Sequence, residues 1–543
     1  MLFMARDALL SAICAAACRS SGRRLCRKLG RTVHKGEVAM QFLKILAAGL
    51  GMAALCAGSA LAETDVIPVG TIKYDPAKCW NSYVILTPDV PGASAKLIDR
   101  NGNLVKEWDT RGGYGMPNKV YPGGHLLTSL YPHLSEGSQD LNTIALLDFD
   151  GKIVRQFNKW QKLEKGEPGQ PAEADGTYWV SRQHHDFQLE GSSVGYYAPG
   201  VESSLRRDGR MLVLAHENVR APKINLQQLI DDVIVIVDKD ENILWKWNAS
   251  DHFDEFGFTA EAAGQTRALG EVRIKEHQGV DWFHINCASW LGPNKWYDAG
   301  DKRFHPDNII CDSRNSSHLF IIDHETGNIV WQVAPPFVGE DGALGPITGV
   351  HGTHMIPKGL PGEGNILIFD NGGTMPGDVY PSQAHAWSRI IEFDPVTKDR
   401  VWEYSATTMK AAPGQHGYQF FFSPYISIAQ RLPNGNTLID EGATSRIFEV
   451  TPMGEIVWEY RSPYGYAPAM KANTTYRAYA VPYEWVPQLK KPVETPVTAP
   501  VEPKTFIMLP DDKGNIPNFR TTLDKRPVVQ FDEPWVVSRP AKR

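Results

Sequence analysis

Four histidines and one arginine in this 543-residue chain stand at spacings that could build a reactive site: His184 with His185, then His284, His351 and Arg314. A neutral imidazole is a competent nucleophile and a general acid or base near neutral pH. A guanidinium is a fork of donors for an oxyanion. A turn proline serves as a ruler between segments. Pro433 lies six residues after Ser427, Pro357 six after His351 and Pro122 six after Met116. The equivalent points in two further segments are His284, six before Trp290, and His184 or His185. Three of five such positions are histidine, where packing between repeats alone would favour apolar or small residues. His284 and Asn286 share one face of a strand by its period of two. Ser388-Arg389 and Ser445-Arg446 form a repeated pair ahead of hairpin strands. The matching position before Leu319 is Ser317-His318, so Arg314 is additional, an unpaired arginine free to meet an oxyanion.

The elements that must position these residues form a repeat. A strand, a polar turn and a second strand ending in an aromatic recur from Asp99, Asp148, Asp238, Asp323, Asp394 and Thr451. Each copy reads as a β-hairpin, and the intervals of 49, 90, 85, 71 and 57 residues are a blade plus insertions. Six hairpins that each present Trp or Phe (Trp108, Phe157, Trp247, Trp331, Trp402, Trp458) predict an all-β, six-bladed β-propeller with the aromatics packed between blades. The segments around His351 and Tyr425 supply the other two strands of a blade, the first of which should line the central channel. The segment after Asn81 and the one after Asn473 should pair to close the ring.

Residues 40–62 carry a lysine, an apolar run and a terminal Ala60-Leu61-Ala62, which reads as a secretory signal with Met1 or Met40 as initiator. Residues 1–62 are therefore assigned to an extension plus signal, 63–489 to the propeller, and 490–543 to a Pro-rich linker and tail. Without residues 1–62 the net charge is −13, which disfavours a nucleic-acid partner. No later stretch is apolar for eighteen residues, so no membrane anchor is expected after signal removal. Periplasmic localisation follows. Cys79, Cys287 and Cys311 remain; Cys287 and Cys311 could pair or stay as buried thiols. Histidines gathered with Asp186 and Asp312 could bind a metal, as a propeller hydrolase or lactonase would, but the group is poor in acids, so no metal is assigned. A propeller that binds a small ligand without chemistry is the other alternative. A G-x-S-x-G elbow is missing, which sets serine hydrolysis aside.

These segments resemble a known family, the bacterial aryl-sulfate sulfotransferases. The matching motifs are RQHHDF (His184, His185), DWFHIN (His284, Asn286), CDSR (Arg314), VHGTHMIP (His351, His354), GNILIFDNGG (Asn371), SPYISIAQRLPNGN (Ser427) and YRAYAVPYEWVPQ, covering residues 80 to 490. The resemblance implies sulfuryl transfer from a phenolic sulfate to a phenol through a sulfohistidine, with no nucleotide donor and no cofactor. It implies His351 as nucleophile, with His354 the other candidate, since this segment lacks the Gln-His form of relatives. His284 and His185 would be donors or general acid, and Asn286 and Arg314 would hold the sulfuryl oxygens. Ser427 would stand at the place of a small hydroxyl residue, and His184, His354 and Asn371 would complete the substrate site. About twenty residues separate the signal from the first blade, too few for the N-terminal β-domain of some relatives, which puts a homodimer built through that domain in doubt.

Overall fold

A computed structural model describes residues 69–498 apart from 115, 133–139, 165–169, 271–278, 375–376, 406–420 and 468–471. The expected signal segment and the expected tail beyond 498 lie outside the described residues. Six sheets, each built on four antiparallel strands, form a six-bladed β-propeller. From the second blade onward, the innermost strands are Lys119–Tyr121, Gln183–Leu189, Ile285–Trp290, His351–Met355 and Ile428–Arg431. The first blade takes its innermost strand, Thr475–Val481, from the far end of the propeller and its other three, beginning with Tyr83–Pro88, from the start. The expected closure is thus present. A further strand, Gly70–Tyr74, which the repeat did not reveal, adds a fifth, outermost strand to the sixth blade. The backbone of Val497 pairs in turn with Tyr74.

The strand patterns follow from this radial stacking. The second and third strands of a blade are covered on both faces by neighbouring blades, so Ile309–Ser313 and Ile366–Asp370 are buried at every position. Outer strands such as Leu104–Trp108 are half exposed and end in their buried aromatic. That aromatic also latches the blades. The indole N–H of Trp108 donates to Asp148 O, Trp247 to Gly327 O, Trp331 to Pro395 O and Trp402 to Pro452 O. Each acceptor lies in the outer hairpin of the next blade. Trp458 closes the circle on Arg100 O at 2.8 Å. Blade two has Phe157 at this place and no such bond.

Cys287 and Cys311 are free thiols. Cys287 pairs across the sheet with Asp312, while Cys311 faces Ala288, so the two side chains lie on opposite faces. Among the described residues no helix is long and apolar enough to cross a membrane.

Because Phe157 shows that a phenyl ring fits the latch position, Trp331→Phe should lose only the bond to Pro395 O and some area. Denaturant unfolding should register a loss of about 1–2 kcal/mol, with catalytic constants unchanged.

Candidate active site

The residues at the channel mouth are aimed by an irregularity that recurs from blade to blade. His185 (φ 53°), His284 (φ 60°), Gly352 (φ 65°), Ile426 (φ 53°) and Ser427 (φ 89°) are all left-handed. The inner strands shift register between Gln183 and Phe187, between Ile285 and Cys287, and between His351 and His354. Such bulges turn a side chain out of the pleat, and non-glycine residues hold the conformation at a cost of order 1–3 kcal/mol each. At Gly352 a Cβ would come within 2.9 Å of Ile428 Cγ1, so only glycine fits between the two histidines.

Three blades thereby bring His185, His284, Arg314 and His351 together, each less than a tenth exposed. The His185 and His284 rings lie 4.9 Å apart, and His185 is 5.9 Å from the Tyr476 ring. Met116, Leu141, Ile426 and Tyr476, flanked by Tyr114 and Tyr425, form an apolar wall beside them. Hydrogen-bond partners dictate where the ring protons sit. His351 Nδ1 faces two acceptors, Asn371 Oδ1 at 2.8 Å and Gly349 O at 2.9 Å, so it carries the proton. Its Nε2 lone pair accepts the Ile426 N–H at 3.1 Å. His284 Nδ1 donates to Asp281 Oδ2 at 2.6 Å, and its Nε2 has no partner among the described residues. Asp281 reaches this place on Val280–Asp281, a short strand that pairs parallel with the third strand of blade three.

The other expected residues fall as follows. Arg314 is not unpaired: its Nη1 donates to Asp378 Oδ1 at 2.8 Å and to Asn315 Oδ1. The long connection of blade five delivers Asp378, which the repeat comparison could not foresee. Nη2 of Arg314 remains buried without a partner. Asn286 turns to blade five, its Nδ2 donating to Val350 O at 3.2 Å while Oδ1 stays unpartnered. Ser427 donates its hydroxyl to Ser423 Oγ. Asn371 stands behind His351, with Nδ2 donating to Ser423 O and Ile426 O. His184 stands behind His185, their Nδ1 atoms 2.8 Å apart. His354 is enclosed: Nδ1 donates to Gly352 O and Nε2 accepts the Tyr196 hydroxyl at 2.7 Å.

Burial sets the electrostatics. It pushes His184, His185 and His351 well below the ordinary imidazole value, for His351 with help from nearby Arg314. His354 falls to about 4, again chiefly through burial. Burial raises Asp281, yet His284 outweighs it and holds the carboxyl below its ordinary value. Deeper in the channel Asp186 accepts Lys119 Nζ at 2.6 Å and Arg477 Nη1 at 3.1 Å, and all three are buried.

A metal reading can be tested on geometry. Asp186 is committed to Lys119 and Arg477, and Asp312 accepts the Thr353 N–H. His184, His216 and Asp232 do bring ligand atoms within 4.8 Å of one another. The two rings, however, are stacked at 3.7 Å with 13° between planes. Imidazole donates to a metal in its own plane, so two parallel rings cannot converge on one ion without turning. The cluster of His305, Asp307 and His324 has the same face-to-face stack, at 4.2 Å.

Three buried imidazoles and a guanidinium thus meet at the inner strands of three neighbouring blades. A family model described as Arylsulfotransferase (ASST) matches residues 202–477, just over half of the chain, and includes His284, Arg314 and His351. The chain belongs to the arylsulfotransferase family, and its class of activity is aryl sulfotransfer. Comparison with curated proteins finds no match. Among solved structures, a protein of unknown function from Bacteroides caccae is 12% identical over 74% of this chain and 99% of that one, with a TM-score of 0.37. The quinohemoprotein alcohol dehydrogenase of Comamonas testosteroni is 12% identical over 74% and 70%, at 0.33, and the Dos1 propeller is 10% identical over 75% of each, at 0.29.

The unpartnered Arg314 Nη2 gives a direct test of anion binding. Saturating 4-nitrophenyl sulfate should raise the unfolding temperature, by an amount equivalent to about 2.7 kcal/mol at one hundred times the dissociation constant. Arg314→Gln should abolish most of the shift, as read by differential scanning fluorimetry.

Proposed function

We propose that the chain moves a sulfuryl group from a phenolic sulfate ester to a phenol through a sulfohistidine at His351, without a nucleotide donor, metal or cofactor. The observation that carries this is the state of His351. Its Nδ1 proton is held by Asn371 and Gly349, its lone pair lies on Nε2, and Arg314 and His284 are its neighbours. A neutral, oriented imidazole beside a guanidinium is what attack on an anionic sulfur requires. His354 suits this poorly, since both ring nitrogens are spent inside the fold.

Donor sulfate would displace the Ile426 N–H from Nε2. That amide then lies close to the sulfuryl oxygens, with Arg314 Nη2 as a second donor, and the leaving ring rests against Met116, Ile426 and Tyr476. His284, backed by Asp281, is the acid for a phenolate that needs a proton. One feature favours a second reading, with His284 itself as nucleophile: its Nε2 alone is both carboxylate-backed and unpartnered. We further propose that residues 63–489 are the catalytic unit and that residues 40–62 direct export to the periplasm.

Mixing the enzyme with 4-nitrophenyl sulfate and no acceptor should add one sulfuryl group, about 80 Da, to the peptide holding His351, as read by mass mapping. His351→Ala should release no nitrophenol. An adduct on His284 would establish the second reading, and one on His354 would refute both. The nucleophile's pKa lies well below 6.5, so its neutral form persists in mild acid. The nitrophenol burst rate should therefore stay level as pH falls through 6.5; a fall centred there would contradict the assignment.

A further inference from the structure

We infer that His184 is a positioning residue that fixes the ring proton of His185 on Nδ1, so that His185 offers a bare Nε2 that takes the proton of the acceptor phenol. The inference rests on the sulfuryl-transfer reading above for its function but not for its geometry.

His184 Nε2 faces the Ala215 carbonyl, which can only accept, at 3.2 Å, with Asp232 Oδ1 at 3.3 Å beside it. The single proton of the neutral ring must therefore sit on Nε2, which leaves Nδ1 as a lone pair. That lone pair is 2.8 Å from His185 Nδ1, so His185 is the donor between them. A neutral His185 then has no proton on Nε2, and Nε2 makes no hydrogen bond among the described residues. Rotation of the His184 ring is blocked, because it is fully buried and stacked on His216. His216 is pinned in turn: Nδ1 donates to Asp140 Oδ1 at 2.5 Å, and Asp140 Oδ2 accepts Arg182 Nε at 2.6 Å. The Asp232 oxygen facing His184 also takes the Ile285 N–H. On the near side, the Tyr476 hydroxyl donates to His185 O and holds the bulge that aims the ring.

A bare nitrogen repels sulfuryl oxygens and accepts a phenolic O–H. It therefore serves the second half-reaction. The acceptor oxygen bonds to sulfur as the bond from sulfur to His351 Nε2 breaks, its electron pair returning to the imidazole. The phenolic proton moves to His185 Nε2 and is later released to water. The first half-reaction with 4-nitrophenyl sulfate needs no such proton, since nitrophenolate leaves as the anion.

Two measurements on the full chain test this. Long-range proton–nitrogen NMR of histidine-labelled enzyme, assigned with His185→Ala, should show the His185 proton on Nδ1 in the wild type and in His184→Asn, whose amide oxygen can replace the lost acceptor. In His184→Leu the proton should redistribute to Nε2. A wild-type His185 protonated on Nε2 would overturn the inference. In kinetics, His184→Leu should lower kcat/KM for the acceptor by about 100-fold, leave the nitrophenol burst within about threefold, and be largely rescued in His184→Asn. Equal losses in both half-reactions would mark a purely structural residue and overturn the proposal. No burst from the wild type would overturn the sulfuryl-transfer reading instead, and the NMR result would still decide the part played by His184.

Discussion

One carboxylate ties the inner ring together. Asp186, on the innermost strand of blade three, accepts Lys119 from blade two, Arg477 from the closing strand of blade one and the Cys287 thiol from blade four. Arg477 also donates to Asn286 O at 2.6 Å, beside the reactive histidines. A buried ion pair adds little net stability over an apolar equivalent, but removing one partner costs about 3–5 kcal/mol because the other charges stay buried. The arrangement is therefore a constraint more than a source of stability. It demands that the last strand of the propeller, which carries Arg477, arrive beside strands formed three hundred residues earlier in the chain.

Local geometry above this ring converts blade packing into a site. A regular inner strand would alternate side chains between the two blade interfaces and point few of them along the axis. The left-handed residues at His185, His284, Gly352, Ile426 and Ser427 break that alternation at the same level in four successive blades. Strain is tolerated there because the surrounding sheet over-determines the backbone. The aromatic latches serve the same end at the rim: each Trp fixes its blade to the next turn, so the innermost strands cannot drift apart.

The fold was legible because its two signals are periodic. The outer hairpin repeats six times with its aromatic, and the turn proline marks the inner strand even where insertions stretch the spacing. The same ruler put His184 or His185, His284 and His351 at equivalent points, and Arg314 stood out because the Ser-Arg repeat left it over. Their partners did not. Asp281 lies only three residues before His284, yet nothing local says that a parallel strand will hold it there. Asp378 sits in an insertion with no repeat equivalent, and Asp140 and His216 belong to elements unrelated by spacing. The reading by period of two for His284 and Asn286 met a bulge that a sequence does not announce. The fifth strand of blade six, Gly70–Tyr74, was likewise invisible, since it pairs with a hairpin built at the other end of the propeller.

The three imidazoles nearest the reaction share one proton arrangement but not one chemistry, and the difference lies in what stands behind Nδ1. Behind His284 is a carboxylate, the only one of the three partners with charge to offer an imidazolium. Behind His351 are a neutral amide and a carbonyl, which orient the lone pair without adding charge. Behind His185 is another neutral imidazole, itself unable to accept a second proton cheaply in a buried stack. The proposed roles of acid, nucleophile and base follow this difference: a charge stands behind His284, a neutral orienting pair behind His351 and a neutral ring behind His185. Sequence position supplies three histidines at equivalent points; the groups behind Nδ1 are what make them differ.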